Sequence, residues 1–339
     1  MSTLDPSQRV DRFMELALAG ATIEAVRFAL ELLDTGTSVG SVICDVLAPA
    51  QRQVGELWQR DQLSVADEHL ASGVTESTLY ALSSAAPAPA GPTLVVVACA
   101  EGDWHSVAAH MIAELLRAEG IAVVGLGAST PARDVARFVE RHRPDALAVS
   151  CSVPLFYKGV TTLAEAAHAH GIPVLAGGRA LRGAPPRANL LGADGYGESV
   201  AEAISVLATW SESSPAVGAE PAPTRPEAEQ LESQAEELAG VAFTDLFLRS
   251  RSMATYSPRQ LDRTKEDLAY MVRFAAAAQR VDDHAVFTEF LDWSADVLQA
   301  RGVPRTMLVN GLEALMPLLE ECGPISGRTG AAGLRHLAP

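Results

Sequence analysis

The sequence predicts a multidomain α and α/β protein: a helical-bundle cap, a flavodoxin-like, Rossmann-like parallel sheet, and a C-terminal all-α domain. Three observations point there. The chain has 339 residues, too many for one ordinary domain. Strand and helix patterns alternate only in its middle third. Two proline-rich stretches separate that middle from purely helical flanks.

Taken in order, residues 8–84 carry helical periodicity and little strand signal, as a bundle does. Ala85-Ala86-Pro87-Ala88-Pro89-Ala90-Gly91-Pro92 is a semi-rigid linker by its proline content. Residues 92–210 hold five apolar runs: Thr93–Cys99, Ile121–Leu126, Ala146–Ser152, Pro173–Ala176 and Ala193–Tyr196. Amphipathic stretches at Val107–Ala118, Ala132–His142 and Gly159–His170 lie between them. Continuous apolar strands alternating with helices give a parallel sheet covered on both faces. Ligands of such sheets bind at the carboxyl ends of the strands. Residues 211–230 read as a Pro/Ser/Glu-rich linker.

Residues 231–322 are helical throughout. Ser257-Pro258-Arg259-Gln260 is a capping box with proline at the first helical position, and its helix should run to about Gln279. Asp282 or Asp283 caps the next helix, which ends near Gly302, and Pro304 opens another to about Cys322. Residues 323–339 read as a flexible tail.

Composition narrows the function. Lys plus Arg number 26 against 42 Asp plus Glu, a formal net charge of −16. That balance disfavours nucleic acid and anionic membranes as partners. Four scattered cysteines, without CxxC spacing, form neither a disulfide framework nor a zinc site. The N-terminus lacks a signal-peptide pattern, and no run approaches the roughly 20 apolar residues of a membrane span. A soluble, cytoplasmic protein is expected.

The first strand ends in Ala100-Glu101-Gly102-Asp103-Trp104-His105. His105 can offer an imidazole nitrogen to a transition metal, and Asp103 can accept a hydrogen bond from the other ring nitrogen. One histidine does not build an all-protein metal site, so a macrocycle must supply the other ligands, as in a corrin or haem. Asp103-Trp104-His105-Ser106-Val107-Ala108 resembles the D-x-H-x-x-G motif of cobalamin-binding domains, with Ala108 in the place of glycine. Ser150-Cys151-Ser152 after the third strand and Gly177-Gly178 after the fourth resemble later elements of that family. The resemblance implies His105 as lower axial cobalt ligand. It implies that the displaced dimethylbenzimidazole tail passes Ser150 and Ser152 and lies under Gly177 and Gly178, with Trp104 beside the site.

Trp58 ends one helix and Glu68-His69 begin the next, which Ser64 and Asp67 can cap. This W-x9-E-H spacing resembles the cap of light-sensing cobalamin proteins. The resemblance implies that Trp58 covers a 5′-deoxyadenosyl group, that Glu68 and His69 contact it, and that Val65 belongs to the same wall. Adenosylcobalamin would then be the cofactor, and light cleavage of its Co–C bond would let the helices shift. Gln59 stands where some family members have a histidine that takes the upper position after photolysis, which leaves His69 or water for that role. A corrinoid methyl carrier or enzyme subunit is the rival reading.

The last domain contains Phe243, Phe247, Tyr256, Tyr270, Phe274, Phe287, Phe290 and Trp293, a dense set for a chain only 5% aromatic. It resembles the globin-like helical domain of photocobilins, photoreceptors that pair cobalamin with biliverdin, which implies a C-terminal all-α globin-like domain. Arg249, Arg251, Tyr256, Ser257 and Arg263 could then serve the bilin propionates. Asp267, Tyr270 and Phe274 share one helix face, with Trp293 and Arg301 on the facing helix, and Asp267 is the preferred acceptor for the pyrrole N–H groups. Haem is disfavoured because His284, the one histidine between residues 231 and 322, starts a helix. Cys322 lies at the domain's end, so biliverdin binding should be noncovalent. The expectation is a light sensor rather than an enzyme, a homo-oligomer whose assembly responds to light and signals to an unidentified downstream partner.

Overall fold

The computed structural model describes residues 4–85, 91–213, 215–218, 223 and 225–338. It divides into two compact units: Met1–Ser152 with Gly159–Pro221, and Val153–Lys158 with Ala222–Pro339.

The first unit opens with α1 (Pro6–Leu18), α2 (Thr22–Asp34), α3 (Val39–Val42), α4 (Ala48–Gln59) and α5 (Val65–Ala85). Asp5 and Gln8 form a reciprocal capping box ahead of α1, with Pro6 at its first position. A π-helical turn at Ile43–Leu47 joins α3 to α4. Pro49, without an N–H, follows directly in α4, which accounts for the widened turn. Ser64 and Asp67 cap α5 as expected: Ser64 N donates to Asp67 Oδ2 at 2.8 Å and Asp67 N to Ser64 Oγ at 3.2 Å. Phe13, Phe28, Leu47, Val54, Leu79 and Leu82 form the core of this cap.

The sheet follows, with β1 (Leu94–Cys99), α6 (Ser106–Ala118), β2 (Ala122–Gly127), α7 (Ala132–His142), β3 (Ala146–Ser150), α8 (Tyr157–His168), β4 (Val174–Gly177), α9 (Pro185–Leu190), β5 (Gly195–Gly197) and α10 (Val200–Glu212). The five strands are parallel, in the order β2-β1-β3-β4-β5. This is a doubly wound order with its switch point at the neighbouring ends of β1 and β3. Register aligns Cys99 with Ser150, Ser150 with Gly177 and Gly177 with Gly197, one row along the carboxyl edge. Met111 of α6 belongs to the cap core, and Val107 and Leu115 pack against it, so cap and sheet share a face.

The second unit is helical: α11 (Pro226–Arg249), α12 (Pro258–Arg280), α13 (Ala285–Ala300), α14 (Arg305–Cys322) and α15 (Pro324–Leu337), with a 3-10 turn at Arg251–Thr255. The Ser257–Gln260 capping box is present. Ala275, Ala276, Ala277 and Ala278 are all buried.

Two sequence expectations are corrected here. The flexible tail expected at 323–339 is replaced over 324–337 by a helix, α15. Its small residues let it seat closely: a Cβ on Gly333 would lie 2.6 Å from Phe287 Cε1. Glu227 Oε2 accepts from both Ser326 N (2.8 Å) and Ser326 Oγ (3.0 Å), which serves the start of this helix. The linker proposed at 211–230 is also shorter. α10 runs to Glu212 and α11 starts at Pro226, with Ala228 fully buried. Residues 214, 219–222 and 224 of that linker, and 86–90 of the first one, lie outside the described residues.

Candidate functional site

The loop after β1 presents the site. Asp103 is fully buried at the carboxyl end of the sheet. Its Oδ1 lies 2.7 Å from His105 Nδ1 and accepts the His105 amide at 3.0 Å, while Oδ2 accepts the Ser152 amide at 2.7 Å. The Ser129 amide donates to the Asp103 carbonyl at 3.0 Å, and the Gly102 amide donates to Ser129 Oγ at 3.1 Å. Loops after three adjacent strands, β2, β1 and β3, therefore meet at Asp103, the β2 loop through its backbone carbonyl and the other two through its carboxylate.

Burial alone would raise the Asp103 pKa. The hydrogen bonds from the His105 ring, the His105 amide and the Ser152 amide outweigh it, and the carboxyl sits below its ordinary range. The His105 imidazole is raised in turn, first by its hydrogen bond to Asp103, against burial, with Asp103 and Glu68 adding charge. Glu68 of the cap thus lies within electrostatic reach of the histidine. Asp103 engages Nδ1, so a metal held by this ring would take Nε2. Among the described residues no group of three or more His, Cys, Asp or Glu side chains could hold a metal ion. A single exposed imidazole braced by a buried carboxylate fits a metal that arrives with its other ligands, as cobalt does in a corrin.

The structure brings Asp103, His105 and Ser152 together and sets Ser150 beside Gly177 in the sheet. Trp104 is 75% exposed at the rim. Gly177 and Gly178 have a reason in the chain's own packing. A Cβ on Gly177 would meet the Gly197 carbonyl at 2.6 Å. Gly178 has φ +104°, and its Cβ would lie 2.4 Å from the Cys151 carbonyl oxygen. On the cap, Trp58 is half-buried at the end of α4 and Val65 is exposed. His69 Nε2 lies 3.6 Å from Glu68 Oε2. Ser72 Oγ donates to Glu68 Oε1 at 2.8 Å. Ser129 escaped the sequence reading, although it follows β2 on the carboxyl edge where such a loop residue belongs. Cys99 is no nucleophile, since burial chiefly pushes its thiol up to about 12.

In the second unit, Asp267 gathers a small cluster. Burial and Glu266 push its carboxyl up to about 6, against the pull of Arg263 and Arg301. Phe274 is stacked on Phe290 at 3.9 Å between centroids, and Trp293 lies 6.3 Å from Phe290. Tyr270 and Trp293 are partly exposed. Three of the basic candidates have local partners. Arg249 pairs with Asp245 at 2.8 Å, Arg263 with Glu266 at 2.6 Å, and Arg301 donates to the Val297 carbonyl at 3.0 Å. Ser257 is occupied as a helix cap, Tyr256 is half-buried and Arg251 is exposed.

Residues 93–205 match the family model for a B12 binding domain, and residues 9–83 match a second B12 binding domain model. These two segments are B12-binding domains. A cobalamin is therefore the cofactor class. The chain is 37% identical over 142 residues to the HTH-type transcriptional repressor CarH of Myxococcus xanthus, covering 41% of this chain and 47% of that one. It is 34% identical over 182 residues to CarA, an HTH-type transcriptional repressor of the same organism, covering 52% of this chain and 60% of that one. The chain thus spans about half the length of the curated relatives it matches. The monomethylamine corrinoid protein of Methanosarcina barkeri has the same fold, with a TM-score of 0.51 at 18% identity over 59% of this chain and 97% of that one. No helix among the described residues is long and apolar enough to cross a membrane.

Proposed function

We propose that this protein is a light sensor that binds adenosylcobalamin and is not an enzyme. The observation that carries this reading is the buried Asp103 holding His105 at the carboxyl edge of the sheet, with Glu68 of the W-x9-E-H cap within electrostatic reach. His105 would be the lower cobalt ligand, oriented by Asp103. Trp58, Val65, Glu68 and His69 would enclose the upper adenosyl group. Ser150, Ser152, Gly177 and Gly178 would border the groove for the displaced tail, with Trp104 at its rim. When bound, the cofactor supplies a cobalt–carbon bond that visible light cleaves. The cap helices that carry Trp58, Val65, Glu68 and His69 would then be free to relax against the sheet. The output is a changed homo-oligomer or a changed contact with a protein partner. The net charge of −16 supports a partner other than nucleic acid.

Biliverdin is the proposed second chromophore, held noncovalently in the helical unit. The Asp267 cluster with Tyr270, Phe274, Trp293, Arg263 and Arg301 supports it, with Arg249, Arg251, Tyr256 and Ser257 as outlying candidates. The rival reading, a corrinoid methyl carrier, is supported by 30% identity over 124 residues to the methanol–corrinoid protein of Methanosarcina barkeri. Illumination separates the two. A sensor loaded with adenosylcobalamin converts under green light and changes its elution volume, whereas a carrier bleaches without changing its assembly. Co-expression with a haem oxygenase tests the bilin, and no far-red band would leave the helical unit a plain interaction module.

A further inference from the structure

Helix α5 reaches the site at two levels. Glu68 lies in its first turn. Glu76, two turns further along the same face, accepts a hydrogen bond from the Ser106 hydroxyl. Ser106 is the first residue of α6 and follows His105 directly. The contact continues along both helices in steps of three and four residues. The Tyr80 and His110 rings are 4.4 Å apart, and Ser83 hydrogen-bonds Glu114. Glu114 is 2% exposed, a depth at which a carboxylate needs partners, and it also holds Arg117. Arg117 donates to the Val123 carbonyl of β2 at 3.0 Å. A polar seam thus runs in register from the cofactor end of the cap down to the sheet.

We propose that Glu76 is a positioning residue for the cobalt ligand. Through the Ser106 hydroxyl it fixes the first turn of α6, and with it the height and tilt of the His105 ring. A displacement of α5 that begins at Glu68 is thereby passed to the opposite face of the cofactor, so that cap position and lower ligation change together. A bond made to Ser106 acts on the backbone of the turn, independently of the Asp103 bond to the ring. The proposal rests on His105 being the lower ligand.

The test uses the full chain loaded with hydroxocobalamin and, separately, adenosylcobalamin. Glu76→Ala and Ser106→Ala should each shift the bound spectrum from imidazole-ligated toward water-ligated cobalt and weaken binding roughly tenfold, the usual scale for outer partners of a metal ligand. The double variant should lose no more than either single one, because both remove one bond. Glu76→Gln and Ser106→Thr, which keep an acceptor and a hydroxyl, should stay close to the parent. In the cofactor-free chain the two alanine variants should speed amide exchange at residues 104–108 while leaving the melting temperature nearly unchanged. Parent-like spectra and affinity in the alanine variants would overturn the proposal. So would additive losses in the double variant, or a general loss of stability without a ligation change. If His105→Ala leaves the parent spectrum unchanged, the ligand assignment itself fails, and the amide-exchange comparison still decides whether Glu76 holds the turn.

Discussion

Asp103 and His105 behave as a coupled pair, and their shifts have opposite signs. The His105 pKa is raised, so its contribution to the stability of the cofactor-free chain is full below about 6.5, the ordinary value, and disappears as pH rises through the higher folded value. The Asp103 pKa is lowered, so its contribution is present above about 3.9 and disappears as pH falls through the lower folded value. Between those limits the pair stabilises the loop, by a modest amount because the imidazole is solvent-exposed. Cobalt takes only the neutral ring. Cobalamin affinity should therefore rise with pH through a midpoint above that of a free histidine. Titrations at several pH values check this, and a midpoint at or below the ordinary value would contradict the pairing. Asp103→Asn should weaken binding about tenfold to a hundredfold and move the midpoint down. This pair was legible in the sequence because the motif is local. Ser129 and Glu76 were not, since each reaches the site from a distant segment and neither has a spacing signature of its own.

At the scale of elements, the sheet was read well because apolar runs bounded by helical patterns have few alternatives. The strand boundaries moved by only one or two residues. The glycines are more instructive. Gly177 and Gly178 suggested room for a ligand ring, yet both are also required by the approach of neighbouring backbone. Gly178→Ala should therefore destabilise the cofactor-free chain by about 2 kcal/mol or more, measured in urea. A loss seen only in cobalamin affinity would assign the glycine to the ligand instead. The last helix was missed because Ser-Gly-Arg-Thr-Gly-Ala-Ala-Gly has poor helix propensity. Tertiary packing overrides that, since Gly330 and Gly333 sit where larger residues would strike α14 and Phe287. Deleting 324–339 should lower the melting temperature of the helical unit by more than about 4 °C, consistent with the loss of at least 1 kcal/mol. An unchanged melting curve would return this segment to a tail.

For the whole molecule, the aromatic residues of the last domain divide between core and surface. Phe274, Phe287 and Phe290 are buried against one another, so much of the aromatic signal is core. What is left at the surface of that core is Asp267 with Tyr270 and Trp293. Asp267→Asn removes a carboxyl held near 6. In a bilin-loaded protein it should remove any pH dependence of the far-red band between about pH 5 and 7. A band that keeps that dependence would exclude Asp267 as the pyrrole acceptor. The helical character of the last unit was readable from its periodicity. The function of the helical unit was not, because a helix face that binds a flat ligand and one that packs a core share the same periodicity.

If His105 and the W-x9-E-H cap hold adenosylcobalamin as a light-labile wedge, absorption spectra and elution volumes will show it. The adenosylcobalamin-loaded chain is measured in the dark and after green illumination, beside its His105→Ala variant. The dark spectrum should be imidazole-ligated and convert irreversibly with light, the elution volume should change on illumination, and the variant should lose the imidazole signature. A parent chain whose spectrum and elution volume are the same in dark and light, or a variant indistinguishable from it, would rule out the wedge.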